Sequence, residues 1–441
     1  MPRSVSEDLA RRQFRRVVSK DPHRRCIGSK RRRARPAPRR ETSRGVLATA
    51  LALVIACGGG EQTSEGTDAS TTDPSVTAGT QGTDASDTDA SETDETDGAA
   101  LPAHLLVTAD WLARTVSVLD RDALVSGAAR EDALLATIDL AEHAPGPLEL
   151  ELVPDSATAI VAVGPGFFQD FLDDAFGFGA VPSGGRLLLI DLELGAVTAA
   201  LTPAHPPMGI AVAPDGARAY TANYGDATTV GSTLSIVDLD GAVILEDVEI
   251  GARPEQVALD STGGLGVVNL AQAGAIRTFS TDDVAGSLSP LLAVADDPSG
   301  VAFLDDSLVI VANSIPAGYS LVDVSTPQSP QLLETVPAPG GIPYAVTALP
   351  GRHAAFVSTA FGSLRVGRVD ASSLPSGFAL QIEVPDSEAF PLGIAVDPDS
   401  SLGFLGAPGH GAVHIVDLAA GELTRTIPWP SAAAPSYVAI R

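Results

Sequence analysis

Residues 207–251, PMGIAVAPDGARAYTANYGDATTVGSTLSIVDLDGAVILEDVEIG, decide the fold. Four apolar runs cover residues 209–213, 219–223, 233–239 and 243–250. The first run is continuously apolar, as in a strand covered on both faces, whereas the third alternates apolar and polar residues. Pro214-Asp215-Gly216 and Asp240-Gly241 separate runs with residues that favour turns. The segment therefore predicts four short antiparallel strands, which make one blade of a propeller array.

Weaker copies of this pattern fill residues 101–441. Candidate innermost strands lie at residues 148–153, 208–213, 256–260, 300–304, 344–349, 392–397 and 437–440. Candidate third strands that end in Asp lie at residues 116–120, 187–191, 234–238, 320–323, 364–370 and 413–417. The fourth repeat offers residues 275–279 instead, without the closing Asp. The count predicts an all-β, seven-bladed β-propeller of four-stranded antiparallel blades; an eighth blade within the long second repeat is the alternative.

The two ends of this region complement each other. Residues 105–109 resemble a second strand with no first strand before it, and residues 435–440 resemble a first strand with nothing after it. We expect the C-terminal strand to close the first blade as its innermost strand, because ring closure removes the exposed edges of an open array.

The repeat also resembles a known family. Residues 207–223 follow the pattern P-x-G-I-A-V-x-P-D-G-x-x-A-Y-x-x-N, and Ser235-Ile236-Val237-Asp238 follows as the third strand. This pattern is similar to the YVTN family of β-propeller repeats, whose Tyr-Val-Thr-Asn appears here as Tyr220-Thr221-Ala222-Asn223. The resemblance implies a propeller in which the innermost strand comes first in each blade.

Charge is divided unevenly along the chain. Residues 1–44 hold 16 of the 28 Lys and Arg, and the remainder carries 12 Arg, no Lys and 51 Asp and Glu, a formal charge of −39. This acidity argues against a nucleic-acid partner, because such proteins neutralise phosphates with basic side chains. Only Cys26 and Cys57 are present, so no disulfide framework holds the folded region.

A short apolar run, residues 45–56, ends directly at Cys57. Its length is typical of the apolar core of a signal peptide and too short to span a bilayer comfortably. Residues 54–57, Val-Ile-Ala-Cys, resemble a bacterial lipobox, which implies lipidation of Cys57 and attachment to the membrane. Gly58 follows the cysteine, and by resemblance this implies the outer membrane or cell surface of the bacterial envelope. An ordinary cleaved signal peptide is the alternative.

These observations divide the chain into three parts. Residues 1–56 are a basic extension plus signal peptide. Residues 57–100 are the anchor cysteine and an acidic linker of Gly, Ser, Thr, Asp and Glu, which cannot bury enough apolar surface to fold. Residues 101–441 are the propeller.

The second repeat is interrupted by residues 164–185, GPGFFQDFLDDAFGFGAVPSGG, between its second and third strands. Long insertions on this face of a repeat fold are where binding usually occurs; a cap over the channel mouth is the alternative. We predict ligand contacts from this insertion and from loops of the same face. The predicted residues are Trp111, Phe167, Phe168, Phe171, Asp173, Phe176, Tyr224, Asp226 and Arg253.

The sequence lacks the H-E-x-x-H, G-x-S-x-G and Walker patterns, so we expect no catalytic residues, metal or cofactor. The favoured hypothesis is a lipid-anchored, monomeric, non-catalytic binding or scaffold module that recognises a protein or glycan partner on its loop face. The alternative is a hydrolase resembling propeller lactonases. Acidic side chains converging on the channel axis would favour the hydrolase; apolar and aromatic residues at the mouth would favour the binding module.

Overall fold

The computed structural model describes residues 100–165, 184–226, 228–338, 341–360, 363–384, 393–397, 399–408, 411–430 and 433–441. In these residues the chain forms seven four-stranded antiparallel sheets, the blades of a propeller. The predicted fold class is confirmed, and each of the seven predicted innermost strands occupies that position. Within the same residues, no helix combines the length and apolar character needed to cross a bilayer.

From the innermost strand outward, blade 1 contains β28 (Pro435–Ile440), β1 (Leu105–Asp110), β2 (Thr115–Asp120) and β3 (Leu134–Asp139). Blade 2 contains β4 (Pro147–Leu152), β5 (Thr158–Val163), β6 (Arg186–Asp191) and β7 (Ala196–Leu201). Blade 3 contains β8 (Ile210–Val212), β9 (Arg218–Gly225), β10 (Val230–Asp238) and β11 (Val243–Glu249). Blade 4 contains β12 (Pro254–Leu259), β13 (Leu265–Leu270), β14 (Ala275–Ser280) and β15 (Leu292–Ala293).

Blade 5 contains β16 (Asp296–Asp305), β17 (Leu308–Ile315), β18 (Gly318–Asp323) and β19 (Gln331–Pro337). Blade 6 contains β20 (Ile342–Leu349), β21 (His353–Ala360), β22 (Ser363–Asp370) and β23 (Gly377–Val384). Blade 7 contains β24 (Ile394–Val396), β25 (Leu402–Ala407), β26 (Ala412–Asp417) and β27 (Glu422–Pro428). The described helices are α1 (Arg121–Val125), α2 (Arg130–Ala133), a 3-10 turn (Ala271–Ala273) and α3 (Val284–Ser287).

The C-terminal strand closes the ring, as the sequence predicted. Strand β28 pairs antiparallel with β1, from Leu106 opposite Ile440 to Asp110 opposite Pro435. The indole Nε1 of Trp429, just before this strand, donates to Oδ1 of buried Asp110 at 2.9 Å. The closing contacts therefore combine a backbone ladder with a buried side-chain hydrogen bond.

The apolar core lies between neighbouring blades. Between blades 1 and 2, for example, Val107 and Val118 pack in one buried cluster with Val161 and Leu188. Fully burying an aliphatic side chain of this size stabilises a fold by about 1.5–3 kcal/mol. Repeated around the ring, these interfaces hold the innermost strands close to the axis.

The aspartates that end third strands close turns. They are Asp120, Asp191, Asp238, Asp323, Asp370 and Asp417. In each, Oδ1 accepts a backbone N–H two or three residues later, at 2.8–3.0 Å. Such Asp side chains stabilise the turn that follows a strand, so a large part of the acidic repeat pattern is structural.

Gly209 shows how closely the innermost strands approach. A Cβ at this position would lie 2.5 Å from the carbonyl oxygen of Glu255 and 2.7 Å from Cα of Gln256. Both are backbone atoms of blade 4, so the clash of an added Cβ could be relieved only if blades 3 and 4 moved apart. We expect Gly209→Ala to lower the free energy of unfolding by about 1–3 kcal/mol, as measured by denaturant unfolding.

Gly377→Ala is the matched control. A Cβ at Gly377 would meet nothing within 4 Å, so this substitution should change stability by less than about 0.5 kcal/mol. Equal unfolding free energies for the two variants would contradict this account of strand packing.

Candidate functional site at the mouth of the channel

The innermost strands begin irregularly, and this positions side chains at the axis. In five blades the pairing register shifts at or directly after the first proline, namely at Pro147, Pro254, Pro298, Pro343 and Pro435. Proline cannot donate a ladder hydrogen bond and is tolerated at a strand start. A bulge there turns the next side chains out of the regular alternation. Residues from different blades consequently meet near the axis.

Glu149 is the centre of the first such group. The side chain is only 3% exposed. Its Oε1 accepts the backbone N–H of Ile210 at 3.0 Å, and its Oε2 accepts from Nε2 of Gln256 at 2.5 Å. The same Nε2 lies 3.2 Å from the hydroxyl of Tyr437. These contacts join blades 2, 3, 4 and 1 around one carboxyl group.

Glu255 is the centre of the second group. The hydroxyl of Tyr344 donates to its Oε1 at 3.1 Å, and both residues are buried. Asp297 of blade 5 lies close enough for its charge to raise the pKa of Glu255, and so does Glu149. Tyr224 of blade 3 similarly contributes to raising the pKa of Tyr344. The two groups therefore form one axial cluster, which we define as Glu149, Glu151, Glu255, Gln256, Asp297, Tyr344 and Tyr437.

The carboxyl groups of the axial cluster hold protons more tightly than usual. Burial raises the pKa of Glu149 to about 8, with a smaller contribution from the charge of Glu151. Burial also raises the pKa of Glu151 to about 7, and raises the pKa values of Glu255 and Asp297. Among the described ion pairs, none joins these four carboxyls to Arg, Lys or His. Carboxyls with perturbed pKa values that lie close together identify a candidate functional site.

Glu151 lies two residues deeper along β4, at a level lined by small side chains. The corresponding positions in the other blades are Ala211, Ala258, Ala302, Thr347, Ala395 and Ala439. Glu151 is thus the one ionisable residue at that level, and it is partly exposed to the channel. It makes no side-chain hydrogen bond with the residues that the structure describes, so its carboxyl is available to a ligand.

The Phe-rich insertion emerges beside this cluster. In the β4–β5 ladder, Pro147 lies opposite Val163 and Glu149 opposite Ala162, and β5 leads directly into residues 164–185. Residues 166–183 lie outside the described part of the chain. The predicted contacts Phe167, Phe168, Phe171, Asp173 and Phe176 therefore stay predictions, and the same holds for lipidation of Cys57.

The structure brings Tyr224, Asp226 and Arg253 into contact. All three were predicted from the sequence to lie in loops on the same face of the propeller. The guanidinium of Arg253 stacks 4.7 Å from the Tyr224 ring centre and donates to the carbonyl oxygens of Tyr224 at 3.3 Å and Asp226 at 2.9 Å. The carboxylate of Asp226 accepts the backbone N–H of Thr228 and of Thr229, each at 2.7 Å. The side chains of Arg253 and Asp226 are both buried, so their contacts stabilise the loop that contains Tyr224.

Trp111 has a different environment. It is 6% exposed, and a Cβ on Gly146 would lie 3.3 Å from its ring Cδ1 and 2.3 Å from its backbone oxygen. Trp111 thus packs tightly against the chain that leads into β4. It presents little surface to a ligand, and its predicted ligand contact remains untested.

Sequence reasoning did not identify the axial carboxyls as site residues. A signal for Glu151 was present, since residues 147–152 read PLELEL and the other repeats place Ala or Thr at the position of Glu151. Glu255, Asp297 and Tyr344 carried no comparable signal. Their arrangement depends on the bulges and on which blades meet across the axis.

Comparisons with known proteins support the fold. No family model matches the chain, and no curated protein matches it in sequence. The crystal structure of a functionally unknown protein from Desulfotomaculum acetoxidans is similar with a TM-score of 0.57 and 15% identity, covering 76% of this chain and 98% of that chain. Hydrazine synthase of Kuenenia stuttgartiensis is similar with a TM-score of 0.52 and 17% identity, covering 66% of this chain and 89% of that chain. At these identities the similarity shows the propeller fold alone.

Proposed function

We propose that this chain is an exported, lipid-anchored propeller of the YVTN repeat type that binds a small organic cation at the axial cluster, without transforming it. The observation that carries the proposal is the convergence of Glu149, Glu151, Glu255 and Asp297 with no ion pair to a described basic side chain. Buried acidic groups require a compensating charge or a proton. A cationic ligand supplies that charge.

The aromatic residues of the mouth favour an ammonium group over a metal ion. The hydroxyl of Tyr344 contacts Glu255 and that of Tyr437 contacts Gln256, and Tyr224 is close enough to raise the pKa of Tyr344. Ring faces attract organic cations, and carboxylates strengthen such sites. Among the described residues, no group of three or more His, Cys, Asp or Glu is arranged to hold a metal.

The insertion supports the same location. Residues 164–185 begin where β5 ends, beside Glu149, so the Phe side chains have the chain length to cover a ligand at the mouth. The expected protein or glycan partner would present its cation as a lysine side chain or an amino sugar.

A hydrolase is the second candidate, and one observation favours it. Acidic side chains do converge on the channel axis, and the pKa of Glu151 is raised to about 7, in the range suited to a general acid or base. Lactone hydrolysis that disappears in Glu151→Gln would favour this candidate over the binding module.

The ligand class is tested by calorimetric titration of the full chain. We expect n-butylammonium and tetramethylammonium to bind at millimolar concentrations or below, because both carry a charge for the carboxyls and an apolar body for the rings. The matched neutral probe is n-butanol, which should not bind measurably. Binding of n-butanol as tightly as n-butylammonium would contradict recognition of a cation.

The anchor is tested at the mature N-terminus. Mass spectrometry of the protein purified from bacterial membranes should show Cys57 as the first residue, carrying the mass of a diacylglyceryl group. An unmodified N-terminus at any other residue would contradict the lipoprotein proposal.

A further inference from the structure

A cavity lies between blades 6 and 7, on the face of the ring opposite the insertion. It has a volume of about 170 Å³. Its walls include the turn between β20 and β21 and the turn between β24 and β25. Innermost strands start at the face that carries the insertion and end at these turns. The cavity is therefore separate from the axial cluster.

The lining pairs apolar walls with basic groups. Leu349, Val396 and Leu418 supply apolar surface, while His353 and Arg368 supply the basic side chains. Although the chain after residue 44 carries a formal charge of −39, an arginine lines this partly open cavity. The basic side chains of this cavity are therefore opposite in sign to the acidic side chains of the axial cluster.

The guanidinium of Arg368 has an unused donor. Its Nε is buried and has no hydrogen-bond partner among the described residues, and no described carboxylate lies within 4.0 Å of the group. Other arginines nearby are paired: Arg365 on the same strand contacts Glu383 at 2.9 Å, and Arg352 contacts Asp305. Leaving a buried donor without an acceptor costs stability. An acceptor from a ligand would remove that cost.

The acidic groups near the cavity already have partners. Asp397 lines it, but its carboxylate pairs with Arg121 at 3.5 Å and accepts from the Ser400 hydroxyl at 2.7 Å. Asp370 lies 3.6 Å from Nδ1 of His353 and accepts the Ser372 backbone N–H at 2.9 Å. Arg368 forms no ion pair within 4.0 Å with a described carboxylate, although its charge contributes to lowering the pKa of Asp370.

We propose that this cavity binds a small organic carboxylate, with the carboxylate on Arg368 and a short alkyl body against Leu349, Val396 and Leu418. Arginine recognises carboxylates through paired N–H donors in a fixed planar geometry. A cavity of about 150 Å³ accommodates a ligand the size of benzene, so a chain of four carbons fits this volume. The apolar walls disfavour inorganic phosphate, which would lose hydration without gaining partners there.

The test is calorimetric titration of the full chain with sodium butyrate at constant ionic strength. We expect saturable binding to the wild type, and at least a tenfold loss of affinity in Arg368→Gln. Arg365→Gln is the matched control, because it removes the same charge from the same strand and should bind butyrate like the wild type. Thermal unfolding of each variant verifies that it is folded.

Three results would overturn the proposal. They are absence of butyrate binding to the wild type, unchanged binding in a folded Arg368→Gln, and tighter binding of phosphate than of butyrate. If Arg368→Gln does not fold, titration of the wild type alone still tests the proposal, because the wild type must bind butyrate and must not bind n-butanol. The outcome is independent of whether the axial cluster binds a cation.

Discussion

Acidification from pH 8 to pH 5 is expected to stabilise the folded propeller, with about 3 kcal/mol coming from Glu149 alone. The pKa of Glu149 rises from 4.5 to about 8 on folding, so the folded state binds this proton more tightly than the unfolded chain. The stabilising contribution is complete below pH 4.5 and is lost as the pH rises through about 8. Glu151, with a folded pKa of about 7, and Asp110, with a folded pKa of about 6, act in the same direction.

Carboxyls with lowered pKa values do not change the stability of the fold between pH 5 and pH 8. They are Asp122, Asp305, Asp323, Asp370 and Asp397. Their contribution is present above the ordinary value of 3.8 and decreases only at lower pH. For a domain of this length, about 3 kcal/mol corresponds to a rise in Tm of about 4 °C.

Glu149→Gln tests the origin of this effect. The substitution keeps the size of the side chain and removes its titration, so the gain between pH 8 and pH 5 should shrink by about 3 kcal/mol. Glu246→Gln is the matched control, because Glu246 is exposed on the outer strand β11, and its pH profile should equal that of the wild type. A wild-type Tm that is constant or falls between pH 8 and pH 5 would contradict the assignment of tightly held protons to the axis.

The fold could be predicted from sequence because its signals are local. Turn residues such as Pro214-Asp215-Gly216 and the strand-ending Asp238 have counterparts in most blades, and each acts on the neighbouring backbone. Ring closure was predictable as well, since residues 105–109 lacked a first strand and residues 435–440 lacked a second. Neither inference required knowledge of which blades meet across the axis.

The candidate site could be predicted only in part. Tyr224, Asp226 and Arg253 were predicted because they lie in the loops of one regular blade and its exit; the structure brings them into contact, and their contact with a ligand stays a prediction. Glu149 and Glu255 follow their prolines by two residues and by one residue, so no common offset identifies both. Bulges and the ring geometry bring them together, and no single repeat encodes that arrangement.

Loss of cation binding in Glu255→Gln is the second large effect that we expect. A charge-assisted hydrogen bond to a carboxylate is worth about 1.5–3 kcal/mol, and 1.4 kcal/mol already corresponds to a tenfold change in Kd. The affinity of the wild type should also rise with pH, because a cation binds the ionised carboxyls and displaces their protons. Between pH 6 and pH 8 we expect Kd to fall by about tenfold or more, since the pKa values of Glu149 and Glu151 are about 8 and about 7.

The most direct measurement is calorimetric titration of n-butylammonium into the full chain, Glu255→Gln and Glu246→Gln at pH 8, repeated in two buffers with different protonation enthalpies. A cation site at the axial cluster predicts binding with proton release in the wild type and in Glu246→Gln, and at least a tenfold weaker affinity in Glu255→Gln. Equal affinity in all three proteins, or binding without proton release, would contradict the assignment of the ligand site to the channel mouth.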